Sequence, residues 1–462
     1  MHAVIVVPGI MGTELFLPGS ASAPDEKIWP PTALETQFGY KRRDKLASPR
    51  AVPGQIITNV LCFDFYKPLL DYLQDLGFKP DGAEKRLVPF PYDWRRDLFD
   101  TAGALAATVD AVHAMGAARI SLIAHSMGGL ICRLLLEAET WRDRPWFKTV
   151  DQLIAIATPH FGAPLALGRI LGIDSAFGIS GEDLAWLASR EEFPSAYQLL
   201  PPPGDAICWN QADAALASLD IYEPAIAVSL GLKPTLLARA RALHGVLSAN
   251  AVAPHIRYFY FAATGHRTAT RLNVFRDATG TVDPTQTMLT LTADGGDGTV
   301  PMVSALPRAG QRHIATNEHA TAFKGDPFHK VFVRLLGGNE GPALEIAAKS
   351  LALSIESPVL TVGADIEVLL HAITDIDDPM GMFDEVRGEL LLRKIRDGEA
   401  IAAEEVRRVP LAYVGPPVNR LRFYLAPFDK PGHYQISFIG TPSNAPPETF
   451  GVCAELSSAV KR

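Results

Sequence analysis

A serine hydroxyl attacks an acyl carbonyl only when a base takes its proton and an acid orients that base. This 462-residue chain supplies the three types in the order serine, acid, histidine, at Ser126, Asp297 and His319. Ser126 stands in Ala124-His125-Ser126-Met127-Gly128-Gly129, between an apolar run ending at Ala124 and the helically periodic Leu130–Leu136. A serine at a sharp strand-to-helix turn is a nucleophile elbow: its hydroxyl clears the sheet, and the helix N-terminus faces developing negative charge. The turn demands small residues two before and two after the serine. Here they are Ala124 and Gly128, alanine standing where glycine is common.

The acid is expected on the run Asp294-Gly295-Gly296-Asp297-Gly298-Thr299-Val300-Pro301, directly after an expected strand Met288–Thr292. Asp297 is the preferred carboxylate and Asp294 the alternative. The run lacks the acidic alternation and terminal glutamate of an EF-hand loop, which disfavours a calcium site. The base should stand on a loop ahead of a helix, and His319, before the helix-like Phe328–Leu336, fits best. His313 and His329 compete; His313 reads as a strand-end residue and His329 as a packing residue within a helix. His125 should point away from the serine hydroxyl.

An oxyanion needs two N–H donors converging on one point. One is expected from Met127, the other from the turn Pro8-Gly9-Ile10-Met11-Gly12, with Ile10 preferred and Met11 the alternative. Met11, His160 and Trp94 are expected on the cleft wall, where they would touch substrate.

Elements must bring these positions together. Strand-like runs at Ala3–Val7, Arg86–Phe90, Ile120–Ala124, Gln152–Ala157, Arg257–Ala262 and Met288–Thr292 alternate with helical spacing at Phe65–Leu76, Thr101–Met115 and Gly128–Glu139. That alternation predicts a mostly parallel sheet with helices on both faces, an α/β class. Two long segments interrupt it. One, about 18–59, is rich in proline and charge around Trp29 and Phe38, and reads as a lid. The other, about 165–254, is rich in leucine and alanine with Trp186 and Trp209, and reads as a helical cap. Beyond about residue 350 the texture becomes short strands at Val359–Val362, Glu367–Ile373, Gly388–Arg393, Arg420–Leu425 and His433–Ile439, punctuated by Gly and Pro, which predicts a separate β-sandwich. The expected division is a catalytic domain over about 1–345 and a β-sandwich domain over about 350–462.

Hydrophobic residues make up 48% of the chain and charged residues 20%, a globular composition. The net charge of −8 argues against nucleic acid, whose phosphates need a basic face. The four cysteines, Cys62, Cys132, Cys208 and Cys453, form no CxxC pair and require no oxidising compartment. The N-terminus lacks a basic region and cleavage site, and no apolar run approaches the roughly 18–20 residues that span a bilayer. The expectation is a cytoplasmic protein, with export by a route that uses no cleaved signal as the alternative.

Five segments together resemble the lecithin:cholesterol acyltransferase family of lipases and acyltransferases: Val7-Pro8-Gly9-Ile10-Met11-Gly12-Thr13-Glu14-Leu15, Pro91-Tyr92-Asp93-Trp94-Arg95, Ala124–Gly129, Ala157-Thr158-Pro159-His160-Phe161-Gly162-Ala163-Pro164 and Gly296–Pro301. The resemblance covers about residues 3–335 and leaves the β tail outside it. It implies an α/β-hydrolase fold with lid and cap, and acyl transfer from a glycerolipid or related ester through a serine-bound acyl group. It assigns Ser126 as nucleophile, Asp297 as orienting acid, His319 as base and the amides of Ile10 and Met127 as oxyanion donors. Secreted eukaryotic members close the lid with a disulfide, which this chain, with only Cys62 there, lacks the second cysteine to form.

The expected activity is that of a serine esterase of lipase or phospholipase A type, acting on a lipid or membrane surface without metal or organic cofactor. Passing the acyl group to an alcohol would make it an acyltransferase instead. A non-enzymatic alternative, a lipid-binding module on an inactive scaffold, is disfavoured because all three triad types are present in order. The β-domain would offer a surface for membrane, glycan or protein.

Overall fold

The computed structural model describes residues 1–20, 24–32, 34–35, 39–60, 63–205, 207–307, 310–338, 351–355, 359–372, 383–395, 404–418, 420–441 and 445–453. Phe38, Cys62 and Ile373 lie outside the described residues. The chain divides into two compact units, 1–340 and 341–462.

The first unit is built on six parallel strands, β1 (His2–Val7), β2 (Lys85–Pro89), β3 (Arg119–His125), β4 (Val150–Ile156), β5 (Arg257–Ala263) and β6 (Gln311–Ala315), in the spatial order β6-β5-β4-β3-β1-β2. Its four inner strands read as near-continuous apolar runs because both faces are covered. Side chains alternate across β1: Ala3, Ile5 and Val7 enter one core, Val4 and Val6 the other. The first core is closed by α2 (Leu98–Ala114) and α3 (Met127–Glu137), through Leu105, Val109, Leu130 and Leu134. The second is closed by α1 (Lys67–Asp75) and α7 (Asp326–Leu335), through Leu69, Leu73, Phe328 and Phe332. The long α2 starts where the Asp97 carboxylate accepts the Phe99 N–H at 2.8 Å, a side-chain N-cap.

Two expectations need correction. Met288–Thr292 is not a strand of the central sheet. It belongs to Val282–Gly296, which pairs antiparallel with His266–Arg276 in a separate four-stranded sheet. Alternation in sequence marks a strand but not its partner, which only the fold selects. Nor is His313 a strand-end residue: it lies in the middle of β6.

Insertions sit over the carboxyl ends of the strands' run. After β1, Thr13–Leu17 pairs with Glu26–Trp29 and Val52–Ile56 in a three-stranded antiparallel sheet, its two outer strands lying in the segment expected as a lid. Between β4 and β5 the segment expected as a cap carries α4 (Pro164–Ile170), α5 (Gly181–Ala188) and α6 (Pro234–Ser248). The two are joined: Arg43 pairs with Asp183 at 2.6 Å and lies over the Trp186 ring, and the Tyr40 N–H donates to the Gly178 carbonyl.

The second unit contains a three-stranded antiparallel sheet (Leu351–Ile355, Ile366–Ala372, Arg420–Leu425) and a five-stranded sheet (Val359–Thr361, Phe383–Ile395, Glu404–Val418, Gly432–Thr441, Ala445–Cys453). In Ile366–Ala372 every second residue is buried, and Val368 and Leu370 share one core with Leu390, Ile436 and Phe438 of the other sheet.

Candidate active site

Ser126 follows β3 without a gap and precedes α3, with φ 54° and ψ −128°. A non-glycine residue takes this left-handed conformation at a cost. The surroundings hold it: the Ser126 N–H donates to the Ile156 carbonyl at 2.8 Å, and its own carbonyl accepts from Gly129 at 3.0 Å. Packing explains the small neighbours. A Cβ on Gly9 would stand 2.7 Å from Ser126 Cβ, and one on Gly128 would stand 2.6 Å from the Pro8 carbonyl oxygen. Both glycines are therefore set by the close approach of the β1 turn to the elbow. Ala124 is fully buried, so its methyl group fits where glycine is common.

Asp297 follows the Val282–Gly296 strand and is 2% exposed. Its Oδ1 accepts the N–H groups of Thr299 (2.9 Å) and Val300 (2.7 Å), and its Oδ2 lies 2.8 Å from His319 Nδ1. Burial alone would raise this carboxyl; the charge and hydrogen bond of His319, with the N–H groups of Val300 and Thr299, outweigh it and hold the group below the usual carboxylate range. An ionised Oδ2 only accepts, so His319 Nδ1 carries the ring proton. That leaves the Nε2 lone pair facing Ser126 Oγ at 2.9 Å. The His319 backbone N–H also donates to the Asp297 carbonyl at 2.9 Å. Serine, histidine and carboxylate thus stand in one hydrogen-bonded line.

The alternatives lie elsewhere. Asp294 is inside the long strand at φ 52°, its carbonyl accepting from the Thr264 hydroxyl at 2.7 Å. His313 stacks on Phe261 and His329 packs against Tyr72. His125 does turn away from the serine hydroxyl: its ring nitrogens meet Tyr66 Oη and the His319 carbonyl.

Ile10, Met11, Trp94, Ser126, Asp297 and His319 all border one cavity of about 510 Å³. Met127 is the first residue of α3, where an N–H has no acceptor within the helix. In the facing turn, Gly9 N–H donates to Tyr66 Oη and Gly12 N–H to the Gly9 carbonyl, while the Met11 carbonyl accepts from Trp29 Nε1. Met11 has φ 63°, so this turn also carries a left-handed residue. The segment over 165–254 lends the cavity Leu165, Ile170, Phe177, Leu184, Leu187 and Phe193, with Arg169 among them, and the stretches around Asp297 and His319 lend it His266, Arg267 and Glu318.

His160 does not form a cavity wall. It is 1% exposed, edge-on to Tyr260, with its Nδ1 3.4 Å from the Arg133 guanidinium. Its neighbour Pro159 borders the cavity instead, because the backbone turns there and sends the imidazole inward. Sequence reasoning missed Tyr66, Phe323 and the buried Arg133–Glu137 pair. Arg133 and Glu137 at a four-residue spacing were the one visible signal; nothing local connects Tyr66 to Gly9.

A parallel sheet whose central strand runs through a strained serine turn into a helix, with acid and histidine delivered from later loops, is the α/β-hydrolase fold. The family model described as Lecithin:cholesterol acyltransferase matches residues 57–234, a span that includes Ser126 and ends before Asp297 and His319. Across 380 residues, 66% of this chain and 69% of the relative, the chain is 23% identical to Lecithin-cholesterol acyltransferase-like 4 of Arabidopsis thaliana. Over these spans the chain is similar to the lecithin:cholesterol acyltransferase family. Among solved structures it is similar to a chain in "The crystal structure of Tle4-Tli4 complex", with TM-score 0.50 and 14% identity over 71% of this chain and 96% of that one. At that identity the likeness is one of fold alone.

Proposed function

We propose that the protein is a serine hydrolase that cleaves acyl esters of lipids, of lipase or phospholipase type, through an acyl group carried on Ser126. The observation that carries this reading is the unbroken Asp297–His319–Ser126 line at the edge of a largely apolar cavity. His319 Nε2 takes the hydroxyl proton as Ser126 Oγ bonds to the acyl carbon. Asp297 stabilises the imidazolium that forms. The amides of Ile10 and Met127 hold the oxyanion, each such donor contributing on the order of 3 kcal/mol in the transition state. The leaving alcohol then takes the proton from His319, and water, activated by the same nitrogen, releases the acid.

The apolar lining of the cavity suits a long acyl chain, at about 0.8 kcal/mol per buried methylene. The polar residues His266, Arg267 and Glu318 suit the alcohol and its head group. The name of the Arabidopsis relative favours a second reading, in which an alcohol replaces water in the last step. The β-rich second unit is proposed as a surface for membrane, glycan or protein.

Intact mass after fluorophosphonate treatment tests the nucleophile: one adduct is expected on the wild type and none on Ser126→Ala. Incubation with phospholipid vesicles, with and without an added long-chain alcohol, then separates the outcomes. Free fatty acid in both supports hydrolysis; a new ester in the second supports transfer; a folded protein that takes no label and releases no acid sinks the reading.

A further inference from the structure

One chain of hydrogen bonds near the site has no part in the proton transfers described above. Gly9 N–H meets Tyr66 Oη at 2.7 Å, Tyr66 Oη meets His125 Nδ1 at 2.7 Å, and His125 Nε2 meets the His319 carbonyl at 3.0 Å. It starts in the turn that carries Ile10 and ends on the backbone of the base. We propose that Tyr66 and His125 are positioning residues that lock the oxyanion turn and the base loop into a single unit. This rests on the serine-hydrolase reading.

The chain admits one arrangement of protons. A carbonyl oxygen only accepts, so His125 Nε2 carries hydrogen. A backbone N–H only donates, so Tyr66 Oη accepts from Gly9. The single phenolic proton then points to His125 Nδ1, which must be bare. Only the neutral Nε2–H tautomer of His125 satisfies all three bonds. The environment agrees: burial, helped by the neighbouring His319, pushes His125 down to about 3, and burial pushes the Tyr66 phenol up.

Packing shields the Tyr66 end of the chain. Phe323, fully buried, stacks on the Tyr66 ring at 5.6 Å and sets its ring edge-on to His125 at 5.4 Å. Phe323 comes four residues after His319, so the segment carrying the base also covers the relay. A mobile link would not serve: the turn's amides and the His319 ring must both be placed within fractions of an ångström of the reacting atoms. Three bonds in series, two of them fully buried and each with a fixed donor, supply that constraint.

The test compares wild type, Tyr66→Phe, His125→Leu, His125→Gln and the Tyr66→Phe/His125→Leu double variant. Rates of fluorophosphonate labelling and of p-nitrophenyl butyrate hydrolysis are read on protein shown folded by near-ultraviolet circular dichroism. Tyr66→Phe, which keeps the ring against Phe323, should lower kcat about tenfold and leave KM within about twofold. His125→Leu should lower kcat about a hundredfold, and His125→Gln, whose amide can still donate to the His319 carbonyl, should recover about tenfold of that. The double variant should fall no further than His125→Leu, because that substitution already cuts the chain. Unchanged kcat in folded Tyr66→Phe, absence of recovery in His125→Gln, or losses that multiply in the double variant would each overturn the role. A labelled wild type with variants labelled equally fast sinks only this role; a wild type that takes no label sinks the serine-hydrolase reading, and this role with it.

Discussion

Arg133 and Glu137 face each other one turn apart on α3 as a two-pronged ion pair, with Nε to Oε1 at 2.6 Å and Nη2 to Oε2 at 2.7 Å, and side chains 3% and 0% exposed. Arg133 Nη2 also donates to the Leu247 carbonyl at 3.0 Å, tying the helix behind Ser126 to α6. Two charges taken this far from water are costly unless paired, so the pair is worth less than the damage done by breaking it. Arg133→Met should cost about 3–5 kcal/mol by leaving the carboxylate alone. Arg133→Met/Glu137→Met should recover most of that in urea unfolding. A single variant as stable as wild type would show that the pair is solvated in solution.

Asp297 is the next place where charge and burial compete. Its folded-state pKa lies below the ordinary value, so its carboxylate adds stability above the unfolded value of about 3.9 and loses it as pH falls through the lower, folded one. Asp297→Asn should therefore flatten the acid end of the stability curve. It should also lower kcat by about 10⁴-fold, since an amide in this position favours the wrong tautomer of His319. Urea midpoints between pH 3 and 6, with kcat at pH 8, check both; an unchanged kcat would remove Asp297 from the mechanism.

Buried histidines predict a second, higher acid limit. Burial lowers His125 to about 3 and, with Arg119 nearby, lowers His2 to about 4; burial also lowers His160 and His244. In the unfolded chain each takes a proton near pH 6.5, so the unfolded state binds more protons below that value and stability declines as pH falls from there. A fully buried histidine such as His125 adds about 1.4 kcal/mol of slope per pH unit. The urea midpoint should hold between pH 7.5 and 6.5 and drop steadily toward pH 5. A flat profile down to pH 5 would contradict the buried neutral imidazoles.

Ala166 on α4 borders the cavity, where a larger side chain would take the space of an acyl chain. Ala166→Trp should shift preference from long to short esters. Losing two or three buried methylenes costs about 2 kcal/mol, roughly a thirtyfold drop in kcat/KM for a sixteen-carbon ester. A four-carbon ester should be hydrolysed nearly as before. Equal losses on both would place the acyl chain elsewhere.

Much of the fold was legible because its elements carry local signatures. Continuous apolar runs marked the buried parallel strands, period-two burial marked strands such as Ile366–Ala372 in the second unit, and small residues around Ser126 marked a turn that admits nothing larger. The order Ser126, Asp297, His319 was equally visible, since it depends on residue types along one chain. The partner of Met288–Thr292 was not, because a strand's alternation is the same in any sheet.

What the amino-acid sequence determined by itself was the set of candidate reacting groups and the class of scaffold that holds them, because the serine turn and its flanking strand and helix are contiguous in the chain. Tertiary structure alone decided which groups meet. It brings Asp297 rather than Asp294 to His319 across 22 positions, joins Tyr66 to both Gly9 and His125, and turns His160 into the core beside Arg133. Those contacts depend on the folded chain's path and on the exclusion of water, and neither is written in the neighbours of any one residue.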